Sequence, residues 1–181
     1  MGDTTSSREV IYDFGCGSYK SPSSIGIDRE TNSAADIIAD IEHLEGFVAD
    51  GVADKVMMTH VLEHVNPLNV LRQAYRILKP GGTVRIEVPN AYNASLVLRL
   101  LFRNTYSVVP GHLQAFGFVE LKNVVERAGF RKVTWGYKDS EPRFLDTGSV
   151  GLTNKLGRLV RKVFPQFSEV LWMEATKPEV A

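Results

Sequence analysis

Between residues 9 and 176 short apolar runs of strand length alternate with longer runs of helical period, and this alternation most narrows what the chain can fold into. Alternating β and α units bury their apolar surfaces by building a largely parallel sheet. Glu9–Phe14 reads as the first strand, centred on Val10, Ile11 and Tyr12. Ser24–Ile27, ending at Asp28, reads as the second and Asp36–Ala39 as the third. Lys55–Thr59, Thr83–Val88, Phe130–Tyr137 and Ser168–Thr176 supply four more. Between the fourth and fifth, Pro67 suits a first helical turn, and Val70, Leu71, Ala74, Ile77 and Leu78 line one apolar face. Lys79-Pro80-Gly81-Gly82 is expected to end that helix as a turn. Ala94–Phe102 and Val119–Ala128 are expected to be helical, the second closed by Gly129. Leu156, Leu159, Val160 and Val163 predict an amphipathic helix with a solvated basic face of Lys155, Arg158, Arg161 and Lys162.

One connection departs from the pattern. Only about ten residues join the first strand to the second, whereas a parallel crossover usually takes a dozen or more and a helix. Ser18–Ser23 holds Pro22 and several serines, poor material for a helix. A loop or a single turn is expected there.

That abbreviated loop begins with the glycines of Tyr12-Asp13-Phe14-Gly15-Cys16-Gly17, which let backbone come close to a ligand. No third glycine follows, so the dinucleotide fingerprint fails, and no Lys-Ser or Lys-Thr pair completes a phosphate-binding loop. Asp13, just ahead of the glycines, repels a pyrophosphate and attracts a cation. Asp28, at the tip of the second strand, is placed to accept hydrogen bonds from two ribose hydroxyls. A cationic ligand that carries a ribose points to S-adenosylmethionine.

Four segments together resemble the class I S-adenosylmethionine-dependent methyltransferases of the broad type-11 group: Tyr12–Gly17, Gly26-Ile27-Asp28, His60-Val61-Leu62-Glu63-His64-Val65 and Ile77-Leu78-Lys79-Pro80-Gly81-Gly82. The stretch His112–Phe130 is similar as well, and the short first crossover resembles a smaller subgroup linked to polysaccharide or glycolipid pathways. The resemblance implies one Rossmann-like α/β domain over residues 1–181, with seven mostly parallel strands, the last antiparallel, and helices on both faces. It implies that Gly15, Cys16 and Gly17 line the methionine part of the cofactor and that Asp13 reaches its ammonium. Ile27 and Asp28 would lie at the ribose, Asp40 and Ile41 at the adenine, and His60 and Val61 beside the methionine moiety. The implied activity is methyl transfer to an oxygen or nitrogen of a small-molecule or glycan-like acceptor. The competing reading is a non-catalytic module that binds S-adenosylmethionine in regulation or assembly.

His112 follows Pro110-Gly111 after the apolar Ala94–Phe102 segment, and its near-neutral titration suits a general base for an acceptor hydroxyl. His60, Glu63 and His64 have a spacing that could suit metal ligands, but there is no HExxH, and His43 and His112 are distant in sequence. No metal is therefore expected. Cys16, without a histidine close in sequence, is expected to be a small loop residue rather than a nucleophile.

Charge and cysteine content close off other classes. Lys plus Arg and Asp plus Glu each number 21, a balance unlike that of a general nucleic-acid binder. A single cysteine permits no internal disulfide and fits a reducing, cytoplasmic setting. No apolar run approaches the ~18 residues of a membrane span.

Overall fold

A computed structural model describes residues 9–93, 112–139 and 159–179. Seven strands form one sheet: β1 (Ile11–Phe14), β2 (Ile25–Asp28), β3 (Ile37–Ile38), β4 (Ala53–Thr59), β5 (Leu78–Pro89), β6 (Arg131–Lys138) and β7 (Val170–Thr176). Their spatial order is β3-β2-β1-β4-β5-β7-β6. β7 runs antiparallel to both of its neighbours, and the pairings among β1 to β5 are parallel. The expected mostly parallel sheet with an antiparallel last strand is what the chain forms.

α1 (Pro67–Ile77) and α2 (Phe118–Arg127) pack against each other. α1 buries Val70, Leu71, Ala74 and Ile77, the face expected from the apolar period. Its start is fixed by Asn66, whose side-chain oxygen accepts from the Leu68 and Asn69 amides at 3.2 and 3.3 Å. Asn66→Ala is expected to lower stability by about 1 kcal/mol, read by chemical denaturation; an unchanged midpoint would mean that water replaces the cap fully. On β5, buried Val84, Ile86 and Val88 alternate with half-buried Arg85 and Glu87. Phe14, Ile27, Met58 and Phe130 join these residues in the core.

The first crossover is short, as expected: residues 15–24 hold turns and no helix. Asp13 fastens it, its carboxylate accepting from the Ser21 amide at 2.7 Å. Ser24 closes a turn on the Ser21 carbonyl at 2.8 Å. The next two connections also lack a helix; the segment from β3 to β4 sends Ile41, Leu44 and Val48 into the core.

Two expectations need correction. Lys79–Gly82 is the first part of β5 and not a separate turn. The chain end after β7 makes it so: Gly81 donates to the Lys177 carbonyl at 2.9 Å and Lys177 donates to the Gly82 carbonyl at 2.8 Å. Arg161 does not belong to a solvated basic face. It is buried in the helical stretch 159–163, between Asp139 at 2.7 Å and Glu169 at 3.5 Å. Lys155 and Arg158, and the Ala94–Phe102 segment, lie outside the described residues.

Candidate active site

Chain order reverses across the sheet between β1 and β4, and the crevice beyond their carboxyl ends is where open α/β sheets hold ligands. In-register pairing of Phe14 with Ile27 and with Met58 brings Gly15, Asp28 and His60 to that one edge.

Gly15 and Gly17 both take left-handed backbone, with φ of 64° and 53°. A Cβ on Gly15 would stand 2.7 Å from a Val61 methyl, so the loop after β1 lies directly on the segment after β4. Around Gly17 no atom lies within 4 Å of the Cβ position, which leaves room for a ligand to rest on the backbone. Both amides are already used: Gly15 donates to the Ile27 carbonyl and Gly17 to the Asp28 carboxylate, each at 2.8 Å. These glycines therefore provide close approach rather than those two amides. Gly15→Ala is expected to cost about 1–3 kcal/mol of stability, because it adds left-handed strain to overlap with Val61. Denaturant unfolding measures this, and an unchanged stability would show that the loop needs no glycine there.

Asp28 is half-buried. One oxygen accepts from Gly17 and the other from the Glu30 amide at 2.9 Å. A carboxylate offers about four lone-pair sites, so both oxygens keep capacity for ribose hydroxyls. Asp13 is only 4% exposed and serves the loop through Ser21. Its charge is felt above: burial, then Asp13, then Asp28 push the Cys16 thiol up to about 11. That value leaves Cys16 protonated and unsuited to nucleophilic work. The same negative field suits a sulfonium or ammonium and opposes a pyrophosphate. The residues present thus fit a ribosylated cation.

The side chains of Ile27 and Ile41 are buried in the core, so any contact they make with a ligand is through backbone or edge atoms. Asp40 is exposed and follows β3, with its carboxylate on the Glu42 amide at 2.9 Å. Ala39 donates to the Asp28 carbonyl at 3.0 Å, which keeps this segment beside β2.

His60 follows β4 with a left-handed φ of 57°, unusual for a non-glycine, while its amide stays on the Glu87 carbonyl at 2.8 Å. The chain then makes a 3₁₀ turn, Leu62–His64. Onto this turn folds the segment that begins at His112. Leu113 donates to the Glu63 carbonyl at 2.7 Å, and the Gln114 amide reaches the carbonyls of Leu62 and Val65 at 2.9 and 3.0 Å. The His112 ring stands edge-on to that of His64, with centroids 4.7 Å apart. His112 is therefore at the same edge of the sheet as Gly15 and Asp28. Burial lowers its pKa, an effect to which His64 and His60 add and which Glu63 opposes. This shift favours the neutral imidazole, which has a lone pair to offer.

Sequence reasoning missed Asn90 as a site residue, and it named Glu63 without its burial or its neighbour His112. Asn90 is buried after β5; its amide donates to the carbonyls of Gln166 and Ser168 at 2.9 and 2.8 Å, and its oxygen accepts from Tyr92 at 3.0 Å. A polar residue closing an apolar strand was the available signal. Glu63 is 1% exposed and lies among three histidines. Its link to His112 had no signal in local spacing: His112 is distant along the chain and adjacent in space, whereas the other grounds for expecting no metal, the missing HExxH and the distance of His43 in sequence, are unchanged.

A family model described as a methyltransferase domain matches residues 2–134. Among solved structures, an S-adenosylmethionine-dependent methyltransferase from Archaeoglobus fulgidus is similar over 93% of this chain and 86% of its own, at 19% identity and a TM-score of 0.63. One from Methanosarcina mazei is similar over 95% of this chain and 93% of its own, at 16% identity and a TM-score of 0.62. The phosphoethanolamine N-methyltransferase 2 of Haemonchus contortus, solved with S-adenosyl-L-methionine, is similar over 94% of this chain and 49% of its own, at 15% identity and a TM-score of 0.55. At such identities the structural likeness speaks for the fold. No curated protein matches the sequence.

Proposed function

The chain belongs to the methyltransferase-domain family and is a class I S-adenosylmethionine-dependent methyltransferase, and from that premise we propose that its acceptor is an oxygen or nitrogen of a small-molecule or glycan-like compound. The observation that carries this reading is His112, held against His64 at the same edge of the sheet as Gly15 and Asp28. When bound, S-adenosylmethionine supplies an electrophilic methyl group on a positively charged sulfur. Asp28 holds the ribose through its remaining lone pairs, with Ile27 behind it. Gly15, Cys16 and Gly17 let the methionine part lie close, over the negative field of Asp13 and Asp28. His60 and Val61, just after β4, flank the methionine part, and Asp40 with Ile41 borders the adenine. His112 would face the acceptor and take the proton of its hydroxyl, with the methyl group supplied by the bound cofactor. Alignment of the acceptor and exclusion of water are then the protein's main contributions.

Among the described residues no helix is long and apolar enough to cross a membrane. Incubation with methyl-labelled S-adenosylmethionine and fractionated small-molecule and glycan extracts tests the reading. Label is expected in low-mass or glycan fractions, on oxygen or nitrogen. Label confined to protein or nucleic acid would overturn the acceptor class.

A further inference from the structure

Glu63 presents a problem in physical chemistry. Its side chain is 2% exposed, and among the described residues neither carboxylate oxygen has a hydrogen-bond partner. Leaving an ionised carboxylate buried without hydrogen bonds costs several kcal/mol, and buried charges in folded proteins are paired or bind metal. The surroundings are imidazoles. His60 Nδ1 is 3.4 Å from Glu63 Oε1, and His64 Nε2 is 4.0 Å from the same oxygen. One ligand atom each from Glu63, His64 and His112 lie within 4.8 Å of one another.

We propose that Glu63, His64 and His112 form a binding site for a divalent transition-metal ion of the zinc type, at the acceptor side of the active site. Two imidazoles and one carboxylate are a donor set of borderline softness, suited to Zn²⁺ and its neighbours rather than to Ca²⁺ or Mg²⁺. Three protein ligands leave at least one coordination position open, and the His64 side chain, 42% exposed, gives that position access to solvent. The scaffold is built in advance. Leu113 and Gln114 pin the His112 segment to the backbone of the turn that carries Glu63 and His64. Zinc bonds of about 2.0–2.2 Å set tetrahedral ligand atoms roughly 3.3–3.6 Å apart, so the two imidazoles close in by about an ångström through side-chain rotation. His60 stays behind the carboxylate as its neighbour at 3.4 Å.

The binding claim stands by itself; only its consequence rests on the acceptor-side reading above. The base role of His112 described above belongs to the metal-free protein; with an ion bound, its lone pair is a ligand. An acceptor hydroxyl on the open position is acidified by the ion and gives its proton to water.

The test is calorimetric titration of the full-length, chelator-treated protein with Zn²⁺, paralleled by Co²⁺ followed through its visible absorption. One ion per chain is expected. Glu63→Gln, His64→Ala and His112→Ala should each weaken binding by at least about tenfold, whereas His43→Ala should not. S-adenosylmethionine titration of each variant confirms that it is folded. Absence of Zn²⁺ binding, or binding unchanged in all three folded ligand variants, would overturn the site. Methyl transfer by a protein that binds no Zn²⁺ would overturn it too, while leaving the proposed function in place.

Discussion

His112→Ala is expected to lower turnover by roughly 10²–10⁴-fold on the acceptor returned by the label screen, the range typical of a lost acid–base group. Cofactor affinity should change little, because His112 is anchored to the turn after β4 and not to the Gly15–Gly17 loop or to Asp28. The expected kinetic pattern is a fall in kcat with KM for the acceptor close to that of the unmodified enzyme. A small loss of kcat with a raised acceptor KM would assign His112 to substrate positioning instead. Parallel S-adenosylmethionine titration separates either result from a damaged fold.

Asp28→Ala has the complementary signature. Two ribose hydroxyls lose a charged acceptor, and the Gly17 and Glu30 amides lose theirs. The expected loss is about 1.5–3 kcal/mol, which is roughly tenfold to a hundredfold or more in Kd for S-adenosylmethionine. Asp28→Asn keeps one oxygen as acceptor and should fall between the two. NADH should not compete at any stage, since Asp13 and Asp28 set a negative field where a pyrophosphate would lie. Unchanged calorimetric affinity in Asp28→Ala would remove Asp28 from the ribose.

Much of this was legible in the sequence because its causes are local. Apolar period marked the buried face of α1, and Pro67 marked its first turn. Pro22 and the serines around it excluded a helix from the first crossover, and none forms there. Gly15, Gly17 and Asp28 were readable as one unit because a short loop ties them, and the Gly17 amide does bond the Asp28 carboxylate. What escaped depends on partners far along the chain. Lys79–Gly82 becomes strand only because residues near Lys177 pair with it. Arg161 is buried because Asp139 and Glu169 meet it there. The approach of His112 to His64 and Glu63 depends on the return of a whole segment across the sheet edge, held by Gln114.

The central claim is that one edge of the sheet holds the cofactor with its reacting end toward His112. A crystal structure of the full chain with S-adenosylhomocysteine tests it most directly. The predicted result has both Asp28 oxygens within hydrogen-bonding reach of the ribose hydroxyls and the sulfur beyond Gly15, on the side of His60 and His112. A sulfur that points away from His112, or a ligand at the opposite edge of the sheet, would contradict the account.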